Sequence, residues 1–454
     1  MTIVEAGQAL RHGEISCVEL VDQCLHEIDR LNPDLNAFIT VTSDDARTRA
    51  AELDDELANG IDRGPLHGIP IAHKDLICTR GQRCTSGSAL FSDYIPDYEA
   101  TVAVKLNDAG AISLGKTGLH ELAYGITSAN PHYGVIRNPH DRERIPGGSS
   151  GGSGVAVSTG MALMATGTDT GGSIRIPASF CGVTGLKPTY GRVSRYGVKP
   201  LGLSLDHIGP LAQTVRDTAI ALNAMAGFDD RDPSSNPAPV LEYIPPSPCS
   251  IAGLTIGIPR NYFFEAVSPE IHAAIERVTR LSESLGARVL PIKVPDVEEL
   301  NTVARTILLA EASAVLEPYL AQRDKFGEDV LALLDQGRLV PATDYINAQR
   351  LRRLLVQDWR LIFSAVDCLF TPTTPIPAPL IGQKQVELDG QMQDTRLAAT
   401  RFMRGINLLG LPALSMPVGK TPAGLPIGLQ IIGRAFEENV VLRVGAAIED
   451  ANGR

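Results

Sequence analysis

The stretch "RIPGGSSGGSG", Arg144–Gly154, sets three serines among five glycines behind a proline. Two readings compete. Gly147-Gly148-Ser149-Ser150-Gly151 fits G-x-S-x-G, the pattern that holds a nucleophilic serine on a strand-to-helix turn. The same composition suits a flexible linker. An elbow serine needs an acid and then a histidine downstream, and only His207 and His272 follow it. His207, in "SLDHIGP", reads as a polar loop contact. His272, in "PEIHAAIERV", reads as a helix-surface residue. Neither supports a Ser-His-Asp triad.

A second Gly-Ser segment lies downstream, "TGTDTGGSIRIPASFCG", Thr166–Gly182. Ser173 there follows Thr170, Gly171 and Gly172. Small residues before a serine let consecutive backbone N–H groups converge on one point, as an oxyanion hole requires. A tight turn whose serine caps the next helix is the plainer alternative. Lys74 stands in the apolar run "IPIAHKDLI". Burying an ammonium is costly, and burial lowers a lysine's pKa until it can act as a neutral base near pH 7. Snorkelling, or pairing with Asp75, is the alternative. A lysine base and two Gly-flanked serines suffice for acyl transfer without any histidine.

"GAISLGKT", Gly110–Thr117, matches the phosphate-loop pattern letter for letter. That mechanism needs the loop to follow a strand and open a helix. Here the first glycine ends a helix and "AISL" reads as a strand, so its amides are tied up in a sheet and cradle no phosphate.

The 454 residues are 44% hydrophobic and 20% charged, ordinary for a folded chain. The net charge of −11 argues against a nucleic-acid or acidic-membrane surface. Seven scattered cysteines without a C-x-x-C pair fit reduced thiols better than disulfides or a zinc site. There is no secretory leader pattern and no apolar run of about 18 residues. A soluble, cytoplasmic protein is expected.

Two amphipathic helices are expected over residues 3–30, broken at His12-Gly13, with Ser16 an N-cap; a third covers 43–59 and stops at Gly60. Short apolar strands then alternate with helices to about residue 227, the pattern of an α/β layered sheet. Residues 229–249 read as a surface excursion, and about 268–365 as mainly helical. One domain over 1–454 is the simplest organisation.

Taken together, "GIPIAHKD" (68–75), "GGSSGGS" (147–153) and "GTDTGGSIRIPASFCGVTGLKPTYGRVS" (167–194) resemble the amidase signature family. So do "GLPALSMPVG" and "GLPIGLQIIGR" near the end, and the likeness runs over nearly the whole chain. The resemblance implies a central twisted mixed sheet covered by helices on both faces. It implies Lys74 as base, Ser149 as bridging serine in a cis peptide, and Ser173 as nucleophile. Thr170, Gly171, Gly172 and Ser173 would supply the oxyanion-hole amides. No metal or organic cofactor is implied.

The A subunits of tRNA-dependent amidotransferases, which take ammonia from glutamine, share the likeness. They carry paired basic residues after an "FG-x-x-V" stretch and an aspartate before "NL-x-GLP". Here Phe326-Gly327-Glu328-Asp329-Val330 leads into Leu331, Ala332, Leu333 and Leu334, and residues 400–406 before Asn407 contain no acid. An apolar pocket would not bury a zwitterion. The sequence reading is therefore a stand-alone hydrolase of a small apolar or aryl amide, with esters, anilides or carbamates open to the same acyl chemistry. Tyr124 would line its pocket. Its partner would be a small molecule, without nucleic acid or membrane, and a homodimer is left open. The alternative is a glutamine-hydrolysing component of an amidotransferase complex.

Overall fold

The computed structural model describes residues 1–453. The N-terminal helices form as Ile3–His12 and Cys17–Leu35. Gly13 takes a left-handed φ of 69° between them, and Ser16 closes a capping box with Glu19. The next helix, Ser43–Ala58, turns its small and apolar residues Ala46, Ala50 and Leu53 inward.

Eleven strands make one mixed sheet. In chain order they are β1 (Phe38–Val41), β2 (Pro70–Lys74), β3 (Ile112–Thr117), β4 (Met164–Asp169), β5 (Thr184–Lys187), β6 (His207–Ala212), β7 (Thr255–Pro259), β8 (Arg288–Ile292), β9 (Cys368–Pro372), β10 (Ala413–Lys420) and β11 (Pro426–Gly433). Their order across the sheet is β1-β3-β2-β4-β6-β5-β10-β11-β9-β7-β8. β3, β2 and β4 run parallel, as do β9, β7 and β8, while the strands between them pair antiparallel. Every residue of β2, β4, β5, β6 and β11 is buried. Strands covered on both faces read as continuous apolar runs rather than alternating ones. The architecture is the α/β mixed sheet flanked by helices that the sequence implies.

Residues Ile112–Thr117 of the phosphate-loop lookalike are β3 itself, and Lys116 Nζ donates to the Ile77 carbonyl inside the protein. Residues 229–249 contain no helix or strand. They are more than a surface excursion, because Asp229, Asp232 and Tyr243 are buried. Asp229 accepts from Thr101 and Ser194, which ties the segment to the body. Residues 268–365 hold four long helices with β8 between the first two. No helix among the described residues is long and apolar enough to cross a membrane.

Candidate active site

The C-terminal ends of the parallel neighbours β2 and β4 lie side by side, the usual place for a site in such sheets. β2 ends at Lys74 and β4 at Asp169. Lys74 Nζ donates to Ser149 Oγ at 2.7 Å, to Thr168 Oγ1 at 2.8 Å and to Ser150 Oγ at 2.9 Å. Three hydroxyls and no carboxylate thus surround it. Asp75, the alternative partner, turns instead to Thr85. Burial pulls the Lys74 ammonium down to about 7, with the charges of Asp169 and Asp206 offsetting part of the effect.

Ser149 follows a cis Gly148–Ser149 peptide bond and stands just before the helix Gly151–Ser158. A Cβ on Gly152 would come within 2.4 Å of the Ala37 carbonyl oxygen and 2.5 Å of that of Gly118. The glycines of the opening stretch therefore serve close backbone packing, not flexibility. Ser153 bonds to Thr166 and Thr117 and is part of the scaffold.

Ser173 sits in the loop between β4 and the helix Arg175–Cys181. Its carbonyl accepts from Ser150 N–H at 3.2 Å, which brings the two serine segments together. Among the described residues Ser173 Oγ makes no hydrogen bond with Ser149. The loop is shaped by Asp169. Its carboxylate accepts from Gly172 N–H at 2.8 Å, Ile174 N–H at 3.1 Å, and twice from Arg175 at 3.0 Å. Asn407 Nδ2 adds a further donor at 2.8 Å. Burial works to raise this carboxyl, but the Arg175 charge and its hydrogen bonds outweigh burial and hold it well below the carboxylate range. The Gly172 amide is thereby committed to Asp169. Among the described residues the amides of Thr170, Gly171 and Ser173 have no such partner. Gly172 itself has φ +120°, with Met403 2.8 Å from where a Cβ would stand.

His207 departs from the loop contact read from sequence. It lies buried at the start of β6, beside Asp169, with Nδ1 2.6 Å from the Leu205 carbonyl. His272 is half-buried on the outside of its helix and faces Glu276, as read from sequence.

A cavity of about 220 Å³ opens beside the cluster, and Ala123, Thr168, Thr170, Leu201 and Asp206 are among its lining residues. Tyr124, next to Ala123, is buried and its hydroxyl has no partner. Burial pushes that hydroxyl well above its ordinary pKa, with the charges of Arg396, Arg404 and Arg305 offsetting part of the effect. Arg404 also flanks the nucleophile loop, its Cγ 3.5 Å from where a Gly171 Cβ would stand. Sequence reading missed these arginines, along with Thr168, Ser150, Asp169 and Arg175. The spacing of Asp169 and Arg175 across the Gly-Gly-Ser turn was the available signal for that pair. The arginines left none, because they arrive from three separate helices.

A family model described as Amidase matches residues 19–442. The A subunit of glutamyl-tRNA(Gln) amidotransferase from Syntrophus aciditrophicus (strain SB) is 39% identical over 99% of this chain and 96% of its own length. The protein of the same name from Coxiella burnetii (strain Dugway 5J108-111) is 40% identical over 98% of this chain and 95% of its own. A solved structure superposes with a TM-score of 0.95 at 36% identity, covering 99% of this chain and 98% of the other. It is described as a vestigial protein complex revealing the origins of an s-triazine catabolic enzyme.

These relatives overturn the reading as a stand-alone hydrolase of apolar or aryl amides. The physical reason is that the pocket is not apolar, since Arg195, Lys199, Arg231 and Asp206 line it beside Leu76 and Leu201. The expectation of a small-molecule partner alone, with a homodimer left open, is corrected as well. The relatives are named as one component of an enzyme of glutamyl-tRNA(Gln), and the solved neighbour is a complex. The lysine and serine motifs, the mixed sheet and the match over residues 19–442 have one common meaning: the chain belongs to the amidase signature family, enzymes acting on amide C–N bonds.

Proposed function

We propose that this chain is the amide-hydrolysing component of an amidotransferase-type assembly, releasing ammonia from the carboxamide of glutamine. Neutral Lys74 takes the Ser149 proton while Ser149 takes that of Ser173. Ser173 Oγ then attacks the carbonyl carbon, and the free loop amides hold the oxyanion. The C–N bond breaks as Ser149 returns a proton to the departing nitrogen, giving ammonia and an acyl-enzyme. Water, activated by the same relay, cleaves the ester to glutamate and restores Ser173.

The observation that carries the chemistry is Lys74 Nζ 2.7 Å from Ser149 Oγ with no acid against it. The role within an assembly rests on a likeness spanning 95–96% of the named A subunits. The reading extends to one domain built on the eleven-stranded sheet, working in the cytoplasm with its seven cysteines free.

The test is ammonia and glutamate release from glutamine, with the chain purified alone and with whatever partners co-purify. Ser173→Ala is expected to lower the rate by about 10³-fold or more. No release from glutamine in either preparation, or full activity in Ser173→Ala, would overturn the proposal.

A further inference from the structure

We propose that Asp206 is a positioning residue for the acyl chemistry at Ser173: its carboxylate clamps the Thr170 hydroxyl and so fixes the first of the amides that hold the oxyanion. The inference rests on the chemistry proposed at Ser173 and adds to it a residue outside the lysine and serine motifs.

The strand register builds the contact. β4 and β6 are antiparallel, with Asp169 opposite His207. The next residues, Thr170 and Asp206, leave the two strands opposite each other. Thr170 Oγ1 donates to Asp206 Oδ1 at 2.6 Å, and among the described residues that hydroxyl has no other partner. The rest of the carboxylate is filled from its own side. Leu201 N–H donates at 2.8 Å, and Gly202 N–H reaches both oxygens at 3.1 Å. Gly202 also lies against Thr170, since a Cβ there would stand 3.2 Å from Thr170 Cγ2.

The charge of Asp206 is the telling feature. Among the described residues no cation forms an ion pair with it. Arg195, whose charge reaches it, is bound instead to Asp232, Ser234 and the Leu203 carbonyl. Desolvation pushes the Asp206 carboxyl above its ordinary value, against the pull of its three donors. A neutral amide side chain would cap the same turn at lower cost. What the carboxylate adds is a charge-assisted bond to one hydroxyl, shorter and stronger than a neutral one.

That bond completes the bracing of the loop. Asp169 holds the downstream half, through the amides of Gly172 and Ile174. Asp206 holds the upstream end from across the sheet. The segment behind Asp206 is pinned independently. Ser204 N–H and Oγ donate to Glu311 at 2.8 and 2.7 Å, and Arg352 donates to the Ser204 carbonyl at 3.0 Å. Asp206 thus passes the position of a fixed wall to the loop that carries Ser173, and Thr170 and Asp206 line the same cavity.

The test compares Asp206→Asn, Thr170→Val, the two combined, and Thr170→Ser, each in the full-length chain with whatever partners co-purify. The substrates are glutamine and p-nitrophenyl acetate. The Asp206 charge also holds Lys74 up, so Asp206→Asn lowers the lysine further. Rates are therefore compared at about pH 8.5, where Lys74 is neutral in every variant. Asp206→Asn and Thr170→Val are each expected to lower kcat about 10–100-fold, with KM within about threefold. The double variant should lose no more than the worse single one. Thr170→Ser returns the hydroxyl and should recover most of what Thr170→Val loses. If thermal unfolding shows that Asp206→Asn does not fold, Thr170→Val and Thr170→Ser decide alone. Losses that multiply in the double variant, a loss confined to KM, or a Thr170→Val kcat equal to the parent's overturns the inference. A parent that cleaves the ester at Ser173 but releases no ammonia from glutamine sinks the glutamine reading, and the same variants then decide the clamp on the ester. A parent inert on both substrates overturns both.

Discussion

Asp169 and Arg175 meet as a fork, Oδ2 to Nε and Oδ1 to Nη2 both at 3.0 Å, with both side chains buried. The pair brackets the loop that carries Ser173, and the same carboxylate receives the amides of Gly172 and Ile174. Structure and chemistry are therefore coupled here. Asp169→Asn leaves the Arg175 charge buried and unanswered, which costs about 3–5 kcal/mol. Denaturant unfolding should show that loss. Adding Arg175→Met should recover much of the stability but not the activity, because the loop amides stay unanchored. Unfolding of Asp169→Asn at the parent's midpoint would refute the coupling.

The pH dependence follows from Lys74. Its folded pKa is lowered to about 7 by burial, and only the neutral amine accepts a proton. Activity is therefore absent where Lys74 is charged and appears as pH rises through about 7. Plotted against pH, kcat/KM should climb about tenfold per unit below that value and flatten above it. A profile flat between pH 5 and 8 would exclude Lys74 as the base.

Thr168 shifts that profile in a definite direction. Its hydroxyl accepts from Lys74 Nζ at 2.8 Å, which favours the charged form. Thr168→Val removes the acceptor at nearly constant shape, so the ammonium is disfavoured further. The acidic limb of kcat/KM is expected to move down by about 0.5–1 pH unit, the equivalent of one modest hydrogen bond. A shift upward would show that the hydroxyl mainly donates.

Much of this site was legible in sequence, and the limits are physical. Lys74, Ser149 and Ser173 stand in short glycine-framed segments whose composition is unusual, so each announces itself locally. β2 stands out in sequence because its apolar run is buried on both faces. The pocket did not announce itself. Arg195, Lys199 and Arg231 lie in loops and look like ordinary surface charges until folding sets them along one cavity with Leu76 and Thr168. The brace of the Ser173 loop is similarly split, with Asn407 reaching Asp169 across 238 positions. An apolar pocket was expected because Leu331–Leu334 carry no basic residue and residues 400–406 carry no acid, but the charged residues that line the cavity come from other segments.

Gly172 tests whether the loop tolerates a side chain. Its φ of +120° is disfavoured for any other residue, and a Cβ would stand 2.8 Å from Met403 Cγ and 2.9 Å from Ile176 Cδ1. Gly172→Ala should lower stability by about 1–3 kcal/mol and displace the amides on either side. Shortening Met403 should not restore activity, because the dihedral is still forbidden. Full activity in the double variant would show that crowding alone was at issue.

Ser149 and Ser150 offer a sharper contrast, because both hydroxyls touch Lys74. Ser150 Oγ is also bound to Thr168, donating to its carbonyl at 3.2 Å and accepting from its amide at 3.3 Å. That hydroxyl is spent on the end of β4. Among the described residues Ser149 Oγ has Lys74 as its sole hydrogen-bond partner. It is thus free to swing its proton between the lysine and Ser173. In the proposed relay Ser149→Ala removes the path and should lower kcat by about 10³-fold or more. Ser150→Ala deletes one neighbour of the ammonium and one strand-end contact, so a loss of about tenfold is expected. Comparable losses in the two variants would mean that Ser150 shares the transfer, and a larger loss in Ser150→Ala would reassign the relay to it.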